Sequence, residues 1–168
     1  MNAKSALRPP KPNRQPLEDK PVPVRLKLSA LWASVMFLYV YVDIFMFYKP
    51  GTIEDILVGR VWEFDISQGW ALGALALMTF PSLMVCVSLL AKARTARWVN
   101  IVVASLFALV TIGGTVGETW AFYWFGSAVE LGLLVLIIRY AWTWPASVPT
   151  SGIERESSPG PVQPAIVR

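Results

Sequence analysis

Four long runs of apolar residues, almost free of charge, constrain this chain more than any other feature. Leu28–Tyr48 holds one charged residue, Asp43, and Trp70–Ala91 holds none. From Trp98 to Ile138 the only charges are Glu118 and Glu130. The 21 residues of the first run, wound as an α-helix, reach about 31 Å, which matches a hydrocarbon core of about 30 Å. The 41 residues from Trp98 to Ile138 would reach about 61 Å as one helix, so they must fold back on themselves. The glycine cluster Gly113-Gly114 through Gly117, followed by Glu118, is the natural turn. Each run is apolar on all sides, as a helix surrounded by lipid is, rather than along one stripe.

The pattern therefore predicts spans at about 28–48, 70–91, 98–117 and 120–140. The expected fold is all-α, an integral membrane four-helix bundle over residues 28–144 of a 168-residue chain. Residues 1–27 carry six prolines and few large apolar side chains, and residues 145–168 carry five more prolines with several serines. Both read as disordered tails, the first with polyproline II character and uncleaved. Pro81 is expected to kink the second span.

Charge placement sets an expected orientation. Seven of the 15 Lys and Arg lie in the amino tail (Lys4, Arg8, Lys11, Arg14, Lys20, Arg25, Lys27). Three lie in the 92–97 loop and three near the end of the chain, leaving only Lys49 and Arg60 on the other side. Thirteen against two predicts a multi-pass plasma-membrane protein with both termini cytoplasmic and loops 49–69 and 117–120 outside. The same distribution argues against nucleic acid as a partner, because no basic face with interleaved aromatics exists outside the tail.

The outer loop 49–69 is long for so small a protein. Thr52-x-x-Asp55 resembles a capping box, and Ile53, Ile56, Leu57, Val61 and Phe64 share one helical face. A short amphipathic helix over 53–64 is expected there, resting on the mouth of the bundle as a connector or lid. Tryptophans near the span ends (Trp32, Trp70, Trp98, Trp120, Trp142, Trp144) read as an interfacial belt. Gly69-x-x-x-Gly73 and Gly113-x-x-x-Gly117 have the spacing of close helix contacts.

Absences exclude whole chemistries. A single cysteine, Cys86, and no histidine rule out a C-x-x-C thiol oxidoreductase, ordinary haem or zinc ligation and an imidazole base. No metal and no cofactor are expected. Cys86, in mid-membrane among apolar neighbours, reads as an inert small hydrophobe.

What remains is a short set of polar residues within the membrane, where ionisable groups are costly and usually face the bundle interior. Helical spacing aligns Trp32, Met36, Tyr39 and Asp43 on the first span, and Asn100, Ala104, Thr111 and Glu118 on the third. Tyr123, Ser127 and Glu130 align on the fourth. These stripes would gather Asp43, Glu118, Tyr123 and Glu130 in the outer half, with Arg60 the cation expected to join them. A polar cavity for a proton, cation or polar head group is one reading; carboxyls that only fix helix packing is the other, and for Glu118 the second is preferred.

Several segments resemble a known family: Leu28-Ser-Ala-Leu-Trp32, Tyr39-Val-Tyr-Val-Asp43, Ser67-Gln-Gly69, Phe80-Pro-Ser-Leu-Met84, Arg94-Thr-Ala-Arg-Trp-Val-Asn100, Glu130 and Tyr140-Ala-Trp-Thr-Trp-Pro145. Over about residues 26–145 the chain resembles the bacterial four-helix membrane family of unknown function DUF6326. The resemblance implies four spans and no particular activity. It also implies that Asp43, Gln68, Arg97, Asn100, Tyr123 and Glu130 belong to the shared scaffold, whereas Glu118 departs from the family's hairpin pattern.

The leading expectation is a non-enzymatic membrane protein, either a small ligand or ion binder or an accessory subunit. Its candidate binding residues are Asp43, Glu130, Tyr39, Tyr123, Arg60, Gln68 and Glu118. The alternatives are a proton-coupled transporter acting as a dimer, or a lipid-acting enzyme using paired carboxylates. Expected partners are the lipid bilayer and either a second copy or a membrane partner protein.

Overall fold

The computed structural model describes residues 21–145, so residues 1–20 and 146–168 of the predicted tails lie outside the described residues, while residues 24–27 of the first are helical rather than disordered. Four helices are each long and apolar enough to cross a membrane: α1 (Val24–Met46), α3 (Gln68–Leu90), α4 (Ala93–Thr115) and α5 (Ala121–Trp142). Between α1 and α3 lie a short helix α2 (Thr52–Leu57) and two short strands, β1 (Arg60–Val61) and β2 (Phe64–Asp65). The long helices run up and down in a ring, α1 against α3 and α5, and α4 against α5 and, more loosely, α3. Side chains of α1 and α4 meet across the middle.

The four spans predicted from hydropathy are present, with shifted ends. α1 begins at Val24, four residues before Leu28, and α4 begins at Ala93, before the apolar run at Trp98. Hydropathy marks where the apolar stretch begins, whereas the helix itself extends beyond it into charged sequence. Long basic side chains are tolerated there because their stems lie along apolar surface while the charge stays at the rim. Arg25 goes further, donating to the carbonyls of Leu89 (2.8 Å) and Ala91 (2.6 Å) at the end of α3. It supplies partners for carbonyls that a helix terminus leaves open. Helix continues on both sides of the buried Pro81.

The core is narrow. Leu28, Trp32, Val35, Phe107, Leu134 and Ile137 are fully buried, while much of the exterior is large and apolar, with Leu72 at 69% and Phe125 at 72% exposure. An exterior of that kind is consistent with helices apolar enough to cross a membrane. Trp32 departs from the expected belt: it sits in the core, with no surface exposed. Trp98, Trp120 and Trp142 stay exposed near helix ends.

The glycine pairs singled out by spacing are not the close contacts. A Cβ added at Gly73, Gly113 or Gly117 would meet nothing within 4 Å, and at Gly69 only Ser67 Oγ at 3.8 Å. Gly117 serves the α4–α5 turn, at φ +84°. Close approach occurs instead at Gly126 of α5, where a Cβ would stand 2.6 Å from Val42 Cγ2 of α1. A lone glycine suffices there because the neighbouring side chain, not a second glycine, fills the space.

The connector corrects the helix expected over 53–64. Helix stops at Leu57, and Gly59 enters the left-handed region at φ +83°. Arg60 then pairs antiparallel with Asp65, and Val61 with Phe64, and the Ile66 N–H closes the hairpin onto the Gly59 carbonyl at 2.7 Å. Glycine reaches that conformation at no steric cost, so it ends the helix although the apolar spacing continues. Thr52 is not a cap either: the N-cap is Gly51, and no side chain caps the helix.

Candidate functional site

Two buried polar groupings join the long helices. Towards the chain termini, Trp32 Nε1 on α1 donates to Asn100 Oδ1 on α4 at 2.7 Å, and Ser88 Oγ on α3 reaches the same oxygen at 3.1 Å. Asn100 Nδ2 donates to the Ala96 carbonyl at 2.8 Å. Each of these groups is buried and each has a partner, so the grouping is closed. It ties three helices, and none of its buried polar atoms is without a partner.

Nearer the loops, Tyr39 on α1 and Thr111 on α4 share a hydrogen bond of 2.9 Å. Thr111 Oγ1 also reaches Glu130 Oε2 on α5, at a long 3.4 Å. Glu130 is only 3% exposed, and its Oε1 is buried without a hydrogen-bond partner among the described residues. Asp43 and Tyr123 lie within electrostatic reach of Glu130. This grouping is open: a buried carboxyl holds one long contact and one oxygen with no donor.

Above it lies a cavity of about 720 Å³ at the loop end of the bundle. Its floor is formed by Asp43 and Met46 of α1, Ala74, Leu77 and Met78 of α3, and Tyr123 of α5. Its roof is α2 with the hairpin, which contributes Asp55, Ile56, Arg60, Val61, Trp62 and Phe64. Trp62, at the hairpin turn, is the one non-glycine residue with positive φ (+54°) among the described residues. A bulky residue there costs on the order of 1 kcal/mol or more, and such strain concentrates at functional sites.

The rim is fixed by an ion pair. Lys49, just beyond α1, donates to both carboxylate oxygens of Glu118 at 3.0 Å. Glu118 Oε1 also accepts from the backbone N–H of Thr119 (2.8 Å) and Trp120 (3.1 Å), where α5 begins. Partial desolvation works against the charged form, but Lys49 and the two N–H groups outweigh it, and the Glu118 carboxyl is held below its ordinary range. Glu118 is thus an anchor between α1 and the α4–α5 turn.

A family model described as a family of unknown function, DUF6326, matches residues 23–150. The chain belongs to that family. The match covers all four long helices, the roof and both polar groupings of this DUF6326 protein. No curated protein and no solved structure matches the chain.

Within this DUF6326 chain the residues singled out from the sequence are distributed unevenly. Asp43, Tyr123 and Arg60 line the cavity. Tyr39 and Glu130 lie beneath it, joined through Thr111. Gln68 is the first residue of α3, exposed and outside the cavity lining. Glu118 does not continue the α4 stripe, because α4 ends at Thr115, and it is taken up by Lys49. Arg60 is therefore not the cation that answers Glu118. Lys49 answers it instead. One available signal was its rarity, as one of only two basic residues assigned to the loop side.

Proposed function

We propose that this protein is an integral membrane protein, with both termini cytoplasmic, that binds a small ligand in the cavity beneath the α2–hairpin roof. The observation that carries the reading is the cavity. Its volume of about 720 Å³ lies within the range of ordinary ligand pockets, roughly 300–1,000 Å³. Its lining mixes apolar walls with a few charged groups, and Asp43 has no hydrogen-bond donor from the described residues, so a ligand could supply one. The orientation is supported by the uneven basic residues and by cations resting on rings at the terminal end. Arg25 lies over Trp144, Lys27 over Tyr140 and Arg97 over Trp142, at 5.2–5.9 Å from the ring centres. Such pairs suit a headgroup region on the positive side of a membrane.

The test is thermal stability of the full chain in lipid nanodiscs across small cations, anions and neutral molecules. A ligand should raise the melting temperature of the wild type but not of Ala74→Trp or Leu77→Trp, which fill the floor. No shift with any class, or equal shifts in the filled variants, overturns the reading. For orientation, reporters fused at residues 4 and 168 should read cytoplasmic, and a cysteine at Asp55 should label from outside.

A second reading, a proton-coupled transporter acting as a dimer, is favoured by Glu130, a buried carboxyl with one unpartnered oxygen at the end of a Tyr39–Thr111 chain. Ligand-dependent proton release lost in Glu130→Gln would select it. An accessory subunit would instead co-purify with one fixed partner. The enzymatic reading gains least, since Glu130 lies outside the lining and beyond a substrate seated in the cavity.

A further inference from the structure

We infer that the cavity selects an organic cation, an alkyl- or arylammonium, with its charge at Asp43 and its apolar surface against the surrounding rings; this rests on the binding reading above. Four charged side chains line the space: Asp43, Asp55, Lys49 and Arg60. Lys49 is already answered, with both Glu118 oxygens at 3.0 Å. That leaves two carboxylates against one guanidinium. Asp43 on α1, Asp55 on α2 and Arg60 on the roof strand are all exposed, so water screens each of them alike and the acids prevail by number. Asp43 lies in the floor, with the buried carboxyl of Glu130 in electrostatic reach.

The walls suit a cation that carries hydrocarbon. Phe47, Trp62, Phe64, Trp70 and Tyr123 all border the cavity. Aromatic faces attract cations, and rings combined with a carboxylate are the usual way proteins hold alkylated ammonium groups. A bare metal ion fits poorly. Calcium takes six to eight oxygen ligands and magnesium about six, whereas this lining is mostly apolar and its volume far exceeds one ion. An anion would find Arg60 alone, with Asp43 and Asp55 opposing it.

The experiment uses three probes that share one ring: benzyltrimethylammonium, benzoate and benzyl alcohol. Each is titrated against the full chain in phosphatidylcholine nanodiscs, reading tryptophan fluorescence, with empty nanodiscs for partitioning. Only the ammonium should give saturable quenching. Asp43→Asn should weaken it at least about tenfold, Asp43→Glu should recover most of the loss, and Arg60→Gln should hold or tighten it. Helical circular dichroism confirms that each variant is folded. Saturation by benzoate in place of the ammonium overturns the cation inference and leaves the binding reading standing. Unchanged affinity in Asp43→Asn overturns it too, as does absence of saturation with all three probes. The thermal-shift series then decides separately whether the cavity binds anything.

Discussion

The terminal half and the loop half of the bundle solve the same problem differently. In the terminal half, Trp32, Ser88 and Asn100 are all buried and all partnered. Arg97 has a buried Nε without a partner there, but its guanidinium rests over Trp142. In the loop half, Glu130 is buried with a single long contact from Thr111 and an oxygen left over. Unmet polar groups in a nonpolar interior are costly. The contrast is between a grouping whose buried polar atoms all have partners and one that leaves a buried carboxylate oxygen without a partner among the described residues.

The strongest way to break this contrast is Trp32→Ala, which removes the largest fully buried side chain and strands Asn100. A loss of about 3–5 kcal/mol is expected, measured by unfolding in mixed micelles. A loss near zero would mean that the terminal half is not the structural one. Next comes Gly126→Leu, whose side chain has no room against Val42. It should cost about 1–3 kcal/mol, and the milder Gly126→Ala should be largely rescued by Val42→Ala. Failure of rescue would place the α1–α5 contact elsewhere.

Smaller effects sharpen the loop half. Glu118→Gln removes the Lys49 ion pair and should cost about 0.5–1 kcal/mol at neutral pH. Because the fold depresses the Glu118 pKa, this contribution is present above the ordinary carboxylate range and disappears as pH falls through the depressed value. The wild-type advantage over Glu118→Gln should therefore shrink on acidification, and an advantage constant from pH 7 to pH 3 would contradict the ion pair. Smallest of all is Glu130→Gln, expected to change stability by no more than about 0.5 kcal/mol, since only one long hydrogen bond is at stake. A loss of several kcal/mol would make Glu130 structural and erase the difference between the halves.

The number of membrane-capable helices and their rough bounds were legible in the sequence. Hydropathy over about twenty residues is a property of composition, and one interfering residue such as Asp43 does not change it. The stripes on α1, α4 and α5 were legible too, because helical spacing follows from 3.6 residues per turn. Tyr39, Thr111 and Glu130 accordingly fall on stripes that face one another. The tertiary structure alone decided which stripes meet: Trp32 with Asn100 and Ser88, Tyr39 with Thr111, Lys49 with Glu118. It also turned residues 58–65 into a hairpin, through Gly59, although their apolar spacing fits a helix. The physical reason is one of scale. Lipid solubility sums over a whole span and survives local exceptions. A hydrogen bond or a turn depends on one side chain or one φ angle, fixed by the rotation of each helix against its neighbours.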